Sequence, residues 1–262
     1  MAGPGYYCRT LNYAGAAIDR CMNILDYWED GMNAAALYDR MLKEGKEANF
    51  TAKSLKHSVG EVFKLRYLTE DAIPWTSMLK HYRPLLSSDI TNQVCYLLTA
   101  RCEAMLRDFV VMEYWPRVRR GDKAMDPKIF KAFMSVAVSE NRGGGRWTES
   151  RFERASRSLS AVCLGFQLFK RESGTLRFVP LSLLDCVALA LAYDLKDQGC
   201  HGSELFRHED WKLFGLSDTE VRQLLSRPAF APFFSIEESM TETRVSWRVQ
   251  TMKDAVGRYV VR

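Results

Sequence analysis

The sequence predicts a mainly α-helical protein: an N-terminal helical bundle over residues 13–116, then a C-terminal helical domain over 126–262 holding a winged-helix-like segment at 147–180. Three observations lead there. Apolar residues recur at helical spacing through most of the chain. Start and stop signals punctuate that spacing. Strand character is confined to short runs bounded by glycine and polar residues.

Residues 1–12 read as a tail. From Tyr13 to Trp28, Ala17, Ile18, Cys21, Ile24, Leu25 and Trp28 form one helical face. Three alanines with Leu37, Met41 and Leu42 favour a second helix over 32–42, stopped by Gly45. Thr51 is placed to cap a third, reaching Tyr67. Pro74 and Pro84 bracket a short apolar segment. Asp89 then opens a helix whose apolar residues, Ile90 to Met112, keep register until Pro116 ends it. A basic stretch without periodicity follows. Asp126 before Pro127 starts a helix through Phe130, Phe133 and Ala137.

Arg142, three glycines and Arg146 make a loop too glycine-rich for any element. Thr148 caps a helix to Leu164 with Phe152, Ala155, Leu159, Val162 and Cys163 inward, and Gly165 offers a left-handed stop. Two β-type runs, 166–169 and 175–179, flank a polar connection ending in Gly174 and read as a hairpin with a basic tip. Helices are expected over 182–196, 203–214 and 218–226, the last opened by the capping box Ser217 to Glu220. Alternating Val245, Trp247 and Val249 suggest a second hairpin within 233–249, before a short closing helix.

Hydrophobic residues at 47% and charged residues at 26% exclude wholesale disorder. Seven cysteines, at 8, 21, 95, 102, 163, 186 and 200, form no CxxC pair and several sit among apolar residues. They read as reduced core thiols rather than disulfides or zinc ligands. The opening residues have neither a basic nor an apolar signal region, so a cytoplasmic setting is expected. The most apolar stretch, Leu181 to Leu195, contains Asp185 and falls short of the roughly 20 residues that span a bilayer. A buried helix is expected there, and no membrane partner.

Catalytic patterns are absent from the sequence. It has no GxxxxGK[ST] loop, no GxGxxG after a strand and no GxSxG elbow. Cys200, His201 and His208 lack a second cysteine pair at zinc-finger spacing. Glu44-Gly45-Lys46 has the minimal acid-x-lysine pattern of a nuclease, but no hairpin is expected there to present it. The expectation is a protein that is not an enzyme and takes no cofactor or metal.

Positive charge carries more information. Fourteen basic and six acidic residues lie between Arg117 and Arg177, a local charge of +8 in a chain whose total is +5, so the remainder is −3. At about 100° per residue, Arg154 and Arg157 fall opposite the Phe152 and Leu159 stripe, with Arg151 on the flank. Lys170, Arg171 and Arg177 belong to the hairpin, and Arg142 and Arg146 to the glycine-rich loop. These eight residues are the candidate DNA-binding set. A helix bearing arginines beside a basic hairpin is how winged-helix modules meet a duplex. The alternatives are a solvated basic face, one that docks an acidic protein partner as a scaffold subunit, and a winged-helix transcriptional regulator.

Several stretches resemble the BrxA family of BREX (bacteriophage exclusion) phage-defence systems. They include Thr51 to Val59, Phe63 to Leu68, Leu106 to Phe109, Trp147 to Ser150, the stop at Leu164 and Gly165, and His208 to Phe214. The resemblance covers residues 13–225 as an order of elements. It implies a non-catalytic helical protein with an N-terminal bundle similar to the NusB antitermination fold, binding double-stranded DNA alongside other phage-defence subunits. It supplies no motif-defined catalytic residues, so the candidate set rests on charge.

Overall fold

Helix boundaries follow local chemistry at most positions. The computed structural model describes residues 17–44, 51–142, 147–239 and 243–261. The expected tail, the start of the Tyr13 helix, the Gly45 stop and most of the 142–146 loop lie outside these residues.

Helix α1, Ile18–Tyr27, buries Cys21, Met22, Ile24 and Leu25, and α2, Ala34–Glu44, buries Leu37 and Met41. The Thr51 hydroxyl accepts the Ser54 N–H at 3.1 Å and caps α3, Ala52–His57. The chain stays helical through a wide π turn, Ser58–Phe63, into α4, Lys64–Tyr67. In α5, Ile73–Tyr82, Pro74 occupies the first turn, where no N–H is required. Ser87, one residue ahead of α6 (Ser88–Cys102), accepts the Ile90 N–H, so the cap precedes the expected Asp89.

The single long helix expected to run to Pro116 is interrupted. Glu103 leaves helical geometry at φ −105° and ψ 87°. Its carboxylate lies 3.4 Å from the Arg66 guanidinium, with both side chains buried. Helix α7, Ala104–Phe109, then passes through a second π turn, Val110–Tyr114, into α8, Trp115–Arg119. Pro116 stands in the first turn of α8 and ends nothing. The stop is Gly121, whose φ of 82° lets its own N–H and that of Asp122 reach back to Val118 and Arg117.

A short strand that periodicity does not reveal, β1 (Ala124–Met125), precedes α9, Ile129–Ser139. Thr148 caps α10, Glu149–Gly165, as expected. The left-handed position beyond α10 belongs to Gln167 (φ 59°) instead of Gly165, and the Leu168 N–H closes the turn onto the Cys163 carbonyl at 3.0 Å. The hairpin therefore starts later than expected, with β2 at Phe169–Glu172 and β3 at Thr175–Phe178. Strand β1 pairs antiparallel with β3, giving the order β1-β3-β2.

Helix α11, Asp185–Asp197, is buried from Cys186 to Leu195. His208, at φ −58° and ψ 143°, splits the expected 203–214 helix into α12, Ser203–Arg207, and α13, Asp210–Leu213. The capping box opens α14, Asp218–Leu225. Strands β4, Phe234–Glu238, and β5, Thr243–Trp247, form the second hairpin before α15, Met252–Val260.

Contacts group these elements into two compact units, each built from two separated segments. One comprises residues 1–69 and 98–181, the other 70–97 and 182–262. This grouping is interleaved, whereas the sequence reading of 13–116 and 126–262 divides the chain linearly.

In the first unit Phe109 packs against Phe130, Phe133 and Phe169, and Tyr114 against Phe169 and Phe178. The Tyr114 hydroxyl donates to the Val179 carbonyl at 2.6 Å, tying the end of β3 to the helical core. In the second unit Gln93 bridges the Ser182 carbonyl and the Leu184 N–H at the start of α11. Gly257 of α15 lies directly against the Tyr82 hydroxyl.

Among the described residues all six cysteines are free thiols. Burial pushes Cys21 up to about 11 and Cys186 up to about 12. No helix of the described residues is long and apolar enough to cross a membrane.

Candidate nucleic-acid interface

The basic segment is supported by elements whose inward faces leave little freedom. Helix α10 buries Ala155, Ser156, Leu159, Val162 and Cys163, which fixes its rotation about its own axis. Arg154 and Arg157 are consequently exposed on the opposite side. Arg154 has no acid within ion-pair distance among the described residues. Arg157 donates to the Glu153 carbonyl within its own helix at 3.3 Å and has no ion pair among the described residues. Arg151, on the flank, lies over the Trp147 ring at 5.3 Å, a cation–π contact that holds it near the helix start.

The hairpin is anchored by Phe169, Leu176 and Phe178, all buried. Its register places Lys170 opposite Arg177 and Arg171 opposite Leu176. Directly opposed residues share a face and successive residues alternate. Lys170 and Arg177 thus occupy the outer face with Ala124 of β1, and Arg171 lies on the other face with Leu176. The tip itself is Ser173 and Gly174, so the two cations expected at the tip belong to β2 and point to opposite sides.

Ion pairs engage several of the segment's basic residues. Arg142 sits 2.7 Å from Glu140 and 3.6 Å from Asp108, and over the Phe133 ring at 5.6 Å. Arg177 pairs with Glu172 at 3.3 Å, and Lys131 with Glu153 at 2.6 Å. Arg117 and Arg120 have partners in Glu113 and Asp122. Arg146 lies outside the described residues. Of the eight candidates, the cations left exposed with no ion pair among the described residues are Arg154, Arg157, Lys170 and Arg171.

Two further exposed lysines, Lys123 and Lys128, flank β1. In the sequence both contribute only to the basic count, because periodicity reveals no strand there. The Lys123 carbonyl accepts the Phe178 N–H at 3.1 Å, which binds this corner to the hairpin. Among the described residues no group of three or more His, Cys, Asp or Glu is arranged to hold a metal ion.

In comparison with known proteins, the family model BrxA matches residues 7–192. That span begins before the 13–225 range of the sequence resemblance and ends within α11, and it contains all of α10 and the β2–β3 hairpin. No curated protein and no solved structure matches the chain.

Proposed function

The chain belongs to the BrxA family of BREX phage-defence systems, and from that premise we propose that it is a non-catalytic component that binds double-stranded DNA through α10 and the β2–β3 hairpin. The observation that carries the reading is the set of four exposed cations, Arg154, Arg157, Lys170 and Arg171, left without an ion pair among the described residues on a helix and the hairpin that directly follows it. Arginine and lysine so placed match the regular phosphate charge of a duplex. The element order supports it as well. Helix, strand, two helices and a hairpin, with sheet order β1-β3-β2, is the order of a winged-helix module. The helices preceding this module would serve as the NusB-like support that the family implies.

Contacts of this kind are to phosphates, so binding should be sequence-tolerant and steeply salt-dependent. The test is retardation of a linear duplex at low salt by the wild type and by the variant R154A/R157A/K170A/R171A. Retardation lost in the variant is expected; unchanged retardation would remove the site. A second reading keeps the same four residues and gives them an acidic subunit of the defence system. It is favoured by the −3 charge on the rest of this chain, which leaves the basic segment as the distinctive surface. Co-purification that survives nuclease treatment and moderate salt would support it over DNA.

A further inference from the structure

Residues 52–67 form one continuous helical path through α3, the π turn and α4. Leu55, Val59, Val62, Phe63 and Tyr67 are buried and fix its inward side. Lys53, Lys56, Gly60 and Lys64 recur at spacings of three and four on the outward side, one stripe along the helix. The three lysines are exposed, and none has an ion pair among the described residues. The one acid of the path, Glu61, follows Gly60 and so lies about a quarter turn off the stripe. Neither backbone nor packing accounts for Gly60. Its φ is not positive, and no atom outside the helix backbone lies within 4 Å of where a Cβ would stand. Inside a helix, glycine is destabilising relative to alanine. It does serve where a ligand must come close to the backbone, and π turns within α-helices recur at functional sites. Gly60 lies in such a turn, between Lys56 and Lys64.

No large apolar side chain is exposed along this path. A protein partner centres its contact on apolar or aromatic anchors, and a membrane surface takes up an apolar helix face. Three lysines beside bare backbone suit the phosphates of a nucleic acid instead. Resting on the duplex-binding reading above, we propose that the Lys53–Lys64 stripe is a second phosphate-binding surface, separate from α10 and the β2–β3 hairpin, through which one molecule holds two segments of duplex. Both surfaces belong to the same compact unit. The stripe is the weaker of the two, with three free lysines against four cations. A short duplex is therefore held by α10 and the hairpin, and the stripe takes a further segment. Several molecules along a long duplex add their stripe contacts, so long duplexes are drawn together.

The experiment fixes one long duplex to beads and measures capture of a second, labelled long duplex by the full chain at low salt. Retardation of a short duplex is measured beside it. The wild type should do both. K53A/K56A/K64A should retard the short duplex as the wild type does and lose capture; its three positions are exposed, so folding is not threatened. Gly60→Gln leaves every charge in place and should raise the melting temperature, yet lose much of the capture. Retardation without capture by the wild type would overturn the second surface alone. Capture undiminished in K53A/K56A/K64A, or short-duplex retardation lost in it, would do the same. Capture undiminished in Gly60→Gln would overturn the close approach at Gly60. A wild type that retards no duplex would overturn the duplex-binding reading itself.

Discussion

Arg66 and Glu103 are a charged pair in the core of the first unit, with side chains only 1% and 4% exposed. Desolvating two ions is repaid only while both are present, and removing one strands the other. Glu103→Gln should therefore lower stability by about 3–5 kcal/mol in chemical denaturation. Arg40→Ala, which breaks exposed pairs to Glu29 and Glu44, should change it by less than about 1 kcal/mol. Similar losses from both variants would contradict the buried pair. The thiols add a pH dependence. Burial raises Cys21 and Cys102 to about 11 and Cys186 to about 12, against an ordinary value of 9.0. The unfolded chain releases those protons first, so the thiols' contribution is fully present below pH 9.0 and is lost as pH rises through 11 and 12. Thermal melting should accordingly drop from about pH 8 to about pH 10.5 and become less steep in that range when Cys186 is replaced by Ala.

Elements whose limits depend on a few adjacent residues were legible in the sequence. Thr51, Thr148 and Ser217 cap the helices they precede because a hydroxyl and an N–H three residues on suffice. Thr148→Ala should cost about 1 kcal/mol and fray the start of α10, seen as faster amide exchange over its first turn. Features set by distant partners were not legible. The break at Glu103 goes with a residue 37 positions away, and β1 exists only because β3 pairs with it. Arg142, next to three glycines, reads as a loop residue of the DNA-binding set, yet its guanidinium folds onto Asp108 and Glu140. Lys170 and Arg171 read as one basic tip until the two-residue turn fixes the register and sends them to opposite faces. The close approach of α15 to α5 is of the same kind. A Cβ at Gly257 would collide with Tyr82, so Gly257→Ala should destabilise the second unit, and adding Tyr82→Ala should recover part of the loss. No recovery in the double variant would remove Tyr82 as the cause.

Across the whole molecule, the basic segment lies within the span matched to the BrxA family, while the last 70 residues, 193–262, lie beyond it and build much of the second unit. The functional reading and the family assignment therefore fall on the same part of the chain. Ion pairs occupy several of the fourteen basic residues, so the account depends on the exposed cations left without an ion pair among the described residues rather than on net charge. The most direct measurement is the duplex association constant as a function of salt, for the wild type and for R154A/R157A/K170A/R171A. Each phosphate contact contributes about 0.9 to the slope of log K against log salt. The account predicts steep wild-type dependence and a slope reduced by roughly 3–4 in the variant. A variant with the wild-type slope, or a wild type that binds no duplex at low salt, would contradict it.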